Sequence, residues 1–195
     1  MKMRTIIPAL ILALCFGLMG CDFGEVEQGR CVAYDAANKK VTVVLDVAHD
    51  LKHPKYTGGV VEYIMPEDPK EIGPEPVPGG RVMFDLDKGL IYLYNADTKA
   101  VDEVKVEFVD KQKMKANDKQ LKGKKFPIVD KTNNTVQEYS KRLEMLVTFK
   151  VPADYIDSPD ATWEAGDEVR LYYKENAKHQ ALRFMNISKT NIYKR

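Results

Sequence analysis

The chain is poor in residues that staple, chelate or stack. Of 195 residues, three are cysteine, three histidine and one tryptophan. This excludes a disulfide-dense scaffold and a four-cysteine zinc fold. An excess of one charge is lacking too: 30 Lys+Arg face 29 Asp+Glu, whereas a general nucleic-acid binder needs a net basic face. No apolar run reaches the roughly 18 residues of a membrane-spanning helix. No Gly-rich phosphate loop, nucleophile elbow or Cys-x-x-Cys-His haem site occurs. With 29 acidic residues and no pair singled out, nothing points to catalysis. The chain reads as non-enzymatic, without a cofactor and without a nucleic-acid partner.

What is present starts at the N-terminus. Lys2 and Arg4 precede Ile6 to Met19, a 14-residue apolar stretch broken only by Pro8 and Gly17, the size of a secretory h-region. At its end, Leu18-Met19-Gly20-Cys21 resembles a bacterial lipobox. That resemblance implies cleavage before Cys21 and a diacylglycerol on its sulfur; an uncleaved anchor or plain signal peptide is the alternative. The expected organisation is a signal peptide over 1–20, a lipidated cysteine and short tether over 21–28, and one β-domain over 29–195. Asp22 resembles the inner-membrane retention signal of some Gram-negative lipoproteins, favouring the inner membrane over the outer. The expected place is the cell envelope, on the periplasmic side. Membrane lipid, held through acylated Cys21, is the first partner, and an envelope protein is a second.

Cysteine and charge arithmetic follow. Cys15 leaves with the signal and Cys21 is consumed, so Cys31 is the one free thiol, read as a small buried apolar residue on the first strand. The mature chain keeps 28 Lys+Arg against 29 Asp+Glu. Seven tether residues reach about 24 Å at most, which keeps the domain close to the bilayer.

Period-2 alternation dominates the rest, and sustained helical periodicity is almost absent. Gly29 to Tyr34 and Lys40 to Val47 read as a hairpin, and so do Arg81 to Leu86 and Leu90 to Tyr94 around Asp87-Lys88-Gly89. Val104 to Phe108, Leu143 to Val151, Glu168 to Lys174 and Ala181 to Ile187 are further strands. Val147, Phe149, Val169 and Leu171 are the expected core. Five prolines between Met65 and Gly80 forbid regular structure there. The fold class is all-β: a small barrel elaborated by inserted hairpins, with a two-sheet sandwich as the alternative. The runs Gly29-Arg30-Cys31-Val32-Ala33-Tyr34-Asp35 and Gly166-Asp167-Glu168-Val169-Arg170-Leu171-Tyr172-Tyr173 resemble strands one and four of oligonucleotide/oligosaccharide-binding (OB) barrels. That implies strand three at Val147 to Val151, strand five at Ala181 to Ile187 and a long insertion at about 50–135. The mature chain is also similar to uncharacterised β-rich lipoprotein families of anaerobic bacteria, which imply no function. Gly29-Arg30, Gly80-Arg81 and Gly166-Asp167 each open a strand, a weak internal similarity.

Three groups of residues are candidates for chemistry. His49 and His53, at i and i+4, would share a face on a helical turn and chelate a metal with Asp46 or Asp50. Pro54 and Gly58-Gly59 shorten any such turn, and Lys52 and Lys55 repel a cation. Asp85-Leu86-Asp87-Lys88-Gly89 starts like a calcium loop but lacks its later ligands and reads as a turn. Lys111, Lys113, Lys115, Lys119, Lys122, Lys124 and Lys125 form a cationic segment suited to acidic headgroups or an acidic partner, opposite an acidic Pro-rich stretch with Glu62, Glu67, Asp68, Glu71 and Glu75. In Cys21→Ser the precursor should stay uncut and lack acyl mass in mass spectrometry; an unmodified Cys21 in wild-type protein would remove the anchor.

Overall fold

The structure, a computed structural model, describes residues 24–190; the signal and Cys21 lie outside them. Twelve strands and no α-helix are found among the described residues: β1 (Gly24–Asp35), β2 (Lys40–Leu45), β3 (Val60–Ile64), β4 (Arg81–Asp85), β5 (Leu90–Asn95), β6 (Ala100–Lys105), β7 (Glu107–Lys113), β8 (Ile128–Asp130), β9 (Thr135–Ser140), β10 (Met145–Lys150), β11 (Glu168–Lys174) and β12 (Ala181–Asn186). The chain is all-β. Three antiparallel sheets form, ordered β12-β11-β1-β2-β3, β4-β5-β6 and β7-β10-β9-β8. They do not close into a barrel; the arrangement is sandwich-like, with one sheet more than the alternative foresaw.

One turn chemistry builds most of the hairpins. Asp35, Asp85, Asn95 and Asp130 each accept a backbone N–H three residues on, an Asx-type turn. The residue closing each of these loops has positive φ: Lys39 (52°), Gly89 (69°), Lys99 (52°) and Asn134 (52°). Only Gly89 takes that conformation free of steric cost. β9 and β10 join in the same way, through Ser140 Oγ and Glu144 at φ 47°.

The three-stranded sheet is the middle layer, because β5 alternates its side chains between two cores. Ile91 and Leu93 meet Val136, Val147, Phe149 and Trp163 on one side. Tyr92 and Tyr94 meet Val32 and Val44 of the five-stranded sheet on the other. Phe84 and Phe149 pack edge to face at 5.6 Å, and Phe149 lies 6.0 Å from Trp163, within the favourable range for ring pairs. The far face of the five-stranded sheet buries Cys31, Val43, Tyr63, Leu171 and Phe184, with Met65 and Ile72 of the Pro-rich segment packed in.

Several expectations change. β1 is already in place at Gly24, so the tether does not extend to residue 28. Val104 to Phe108 is not one strand: β6 ends at Lys105, and β7 opens at Glu107 in another sheet. Val147 to Val151 does not supply strand three beside β2; β3 does, while β10 pairs with β7 and β9. The stretch between β3 and β11 forms the other two sheets, so 50–135 does not stand out as one inserted unit. Val147, Phe149, Val169 and Leu171 are all fully buried, as is Cys31. Phe149→Ala should lower stability by about 3–5 kcal/mol in denaturant unfolding; a loss below about 1 kcal/mol would contradict this packing.

Candidate functional site: a polar cavity where three sheets meet

The glycines before β4 and β11 meet in space. The segment before β11 crosses the start of β4 and the middle of β1. Gly79 N–H donates to Cys31 O (3.2 Å), Cys31 N–H to Asp167 O (2.9 Å), Gly80 N–H to Ala161 O (2.8 Å) and Arg81 N–H to Glu164 O (3.0 Å). A Cβ on Gly166 would fall inside the van der Waals shell of Cys31 O, and one on Gly79 inside that of Glu164 O. Only glycine lets three backbones approach so closely. Of the glycines in the internal similarity seen in sequence, Gly80 and Gly166 lie at this crossing, whereas Gly29 packs against Val44 O of β2.

Side chains next to these glycines enter a common space. Arg30 donates through Nη1 to Gly166 O (2.9 Å) and through Nη2 to Tyr56 Oη (2.8 Å), and pairs with Glu168 at 2.6 Å. Tyr56 also donates to Glu168. Arg81, on β4, pairs with Glu138 on β9, donates to Trp163 O (3.0 Å) and lies 4.1 Å over the Phe84 ring. These charges are deeply buried, with Arg81 and Glu138 each 4% exposed. Burial opposes the charge of Arg30, yet Glu168 and Tyr56 outweigh it and hold its pKa up. For the other pair burial wins, pushing Glu138 up and Arg81 down. Four buried side-chain atoms among the described residues have no hydrogen-bond partner: Arg30 Nε, Glu168 Oε2, Trp163 Nε1 and Glu138 Oε2, the last of which makes the ion pair with Arg81.

Beside the pairs lies a cavity of about 650 Å³, walled by Arg30, Arg81, Glu138 and Glu168 together with Arg142 and Phe126. Its volume falls in the range of small-molecule sites. Arg142, half-buried in the β9–β10 turn, has one hydrogen bond, a long 3.4 Å contact to Lys52 O. No histidine or cysteine lines the space. Cys31 is buried behind it, its thiol pushed up to about 12 by burial and then by Asp167, so it stays protonated and inert.

The residues singled out in sequence lie elsewhere. His49 sits at φ 51° in a loop with no helical turn, so the face that was to hold His49 and His53 does not form. Asp46 is buried and committed: its carboxylate accepts from the backbone N–H groups of Ala48, Asp50 and Lys55. Asp85 serves its hairpin turn. No group of three metal-ligating side chains occurs among the described residues. In the acidic stretch, Glu62 pairs with Lys40 and Glu71 with Arg183 at 2.5 Å.

The lysine segment is more structural than expected. Lys111 and Lys113 stand on β7 opposite Val147 and Met145, and Met114 is buried, its carbonyl accepting from Tyr139 Oη (3.0 Å). Deleting residues 111–125 would therefore remove the end of the edge strand β7 from the four-stranded sheet. All seven lysines are exposed. Those on β7 also guard an open sheet edge, a usual place for lysine. Past Lys125 the chain returns to the cavity wall at Phe126.

Residues 22–195 match the model of a family described as Domain of unknown function (DUF4881). The chain belongs to this family. No curated protein and no solved structure matches it. In this DUF4881 chain, Arg30, Arg81, Glu138 and Glu168 are the cavity residues that sequence reasoning missed. The available signal was an arginine directly after the glycine that opens a strand, at Gly29-Arg30 and Gly80-Arg81.

Glu138→Ala leaves Arg81 charged, buried and unpaired, and should cost about 3–5 kcal/mol in denaturant unfolding. The double variant Arg81→Met/Glu138→Leu should recover most of that loss. A neutral Glu138→Ala would show that the pair does not hold the layers.

Proposed function

We propose that this is a lipid-anchored envelope protein whose β-domain binds, and does not chemically transform, a partner or small ligand at the membrane surface. The carrying observation is the cavity at the sheet junction. It is roomy, its walls are fixed by two buried ion pairs, and its lining offers no histidine or cysteine to act as base or nucleophile. Fixed charged walls around a polar space suit recognition.

The anchor is supported by the lipobox-like Leu18-Met19-Gly20-Cys21 and by distance. β1 is in place three residues after Cys21, a span of about 10 Å when extended. The domain would therefore rest against the headgroups, with the seven exposed lysines available to acidic lipid or an acidic partner at about 1 kcal/mol each near an anionic surface. Kinship with the OB type has its support in the five-stranded sheet, where Ile64 bridges to Gln180 and Ile72 to Phe184 in parallel. β3 thereby leans toward β12 while the sheet stays open.

Cell fractionation tests the reading. Wild-type protein should remain with membranes through high-salt and carbonate washes, and seven Lys→Gln changes in 111–125 should reduce its crosslinking to neighbouring envelope components while leaving it anchored. Recovery of wild-type protein from the soluble fraction would contradict the proposal.

A further inference from the structure

The cavity wall carries five cations, Arg30, Arg81, Lys141, Arg142 and Lys189, and four carboxylates, Glu138, Glu164, Asp167 and Glu168. Glu168 answers Arg30, Glu138 answers Arg81 and Asp167 answers Lys189. Arg142 is the guanidinium with no carboxylate of the described residues at ion-pairing distance. Among the described residues its single partner is the Lys52 carbonyl at 3.4 Å, and it lies close enough to Arg30 and Arg81 to feel both charges. Burial first, and then these two guanidiniums, hold its pKa below the usual value against the opposing pull of Tyr56 and Glu168. A half-buried guanidinium with no carboxylate at ion-pairing distance leaves N–H donors that an anion would satisfy.

Polar groups nearby are also unanswered. Arg30 Nε carries a buried N–H with no acceptor, and Glu168 Oε2 is a buried acceptor with no donor. Buried polar atoms are normally paired, and these two belong to residues lining the same cavity as Arg142. Lys141 adds charge at the rim, and Phe126 provides an apolar wall. We infer that this cavity binds a small organic molecule bearing one carboxylate or phosphate group, received by Arg142, with hydroxyl or amine donors directed to Glu168. The inference rests on the reading of the domain as a binding module and names the class of ligand; it does not depend on the lipid anchor.

The volume sets the scale. About 650 Å³ admits a sugar acid or sugar phosphate and is far too small for a folded partner. Arg142 is the residue to change, because it lies in a turn and holds no buried carboxylate, so its loss leaves no orphaned charge in the fold.

Full-length protein purified in detergent is tested by thermal shift and calorimetric titration with four probes: glucose 6-phosphate, glucuronate, inorganic phosphate and glucose. Glucose 6-phosphate, glucuronate or both should raise the melting temperature, and glucose should not; a response to only one assigns the group as phosphate or carboxylate. Inorganic phosphate alone should bind at least tenfold more weakly than the better organic anion. Arg142→Gln should melt as wild type without ligand and bind the anion at least tenfold more weakly, with Arg142→Lys in between. Equal binding by wild type and Arg142→Gln overturns the assignment. Glucose binding as tightly as its phosphate overturns the anion class while keeping the binding module. Silence from all four probes overturns the assignment, and membrane fractionation then judges the anchored reading separately.

Discussion

The structure depends on one backbone crossing. Cys31 in the middle of β1, Gly79 to Arg81 at the start of β4, and the stretch from Ala161 to Asp167 before β11 exchange hydrogen bonds at one junction. Such contact between main chains leaves no room for a Cβ at Gly79 or Gly166. The five-stranded and three-stranded sheets are fixed to each other there. Arg81 then extends the connection to the four-stranded sheet through Glu138. The cavity is the space left where three twisted layers diverge from that point.

This geometry explains why charge is buried so deeply in an otherwise apolar molecule. Residues next to the crossing glycines must point into the junction, and there they lose water. Buried ion pairs seldom stabilise a fold more than apolar residues of the same size would. Two such pairs are therefore poorly explained as cement alone, and they make better sense as the fixed wall of a recognition site. The apolar cores supply the adhesion. One is centred on Phe149 and Trp163, a second on Tyr63, Leu171 and Phe184, and neither lines the cavity, which touches only Val82 of the third.

Much of the fold was legible because it is local. Asp at the head of a five-residue loop marked the hairpins after β1 and β4, the same signal at Asn95 and Asp130 went unread, and period-2 alternation marked β10 and β11. The same rule identified Val147, Phe149, Val169 and Leu171 as buried. What failed was non-local. Val104 to Phe108 alternates smoothly, and nothing in those five residues tells that the chain changes sheets at Val106. The second half of β7 was hidden because Asp110 to Lys113 is polar and stands on an edge, where pairing needs no apolar face. The site was hidden for a related reason. Arg30 and Glu168 are far apart in sequence and meet as cross-strand partners of β1 and β11, while Arg81 and Glu138 meet only where two sheets face each other. Histidine spacing, by contrast, promised a cluster on a helical turn that the loop around Asp46 does not form.

Native-state hydrogen exchange on the full-length protein tests the crossing most directly. The amides of Cys31, Gly79, Arg81 and Asp167 should be among the slowest in the molecule, exchanging only with global unfolding. In Gly166→Ala they should lose that protection first. If instead they exchange quickly by local opening, while the core amides of β10 and β11 stay protected, the sheets are joined in some other way and the account fails.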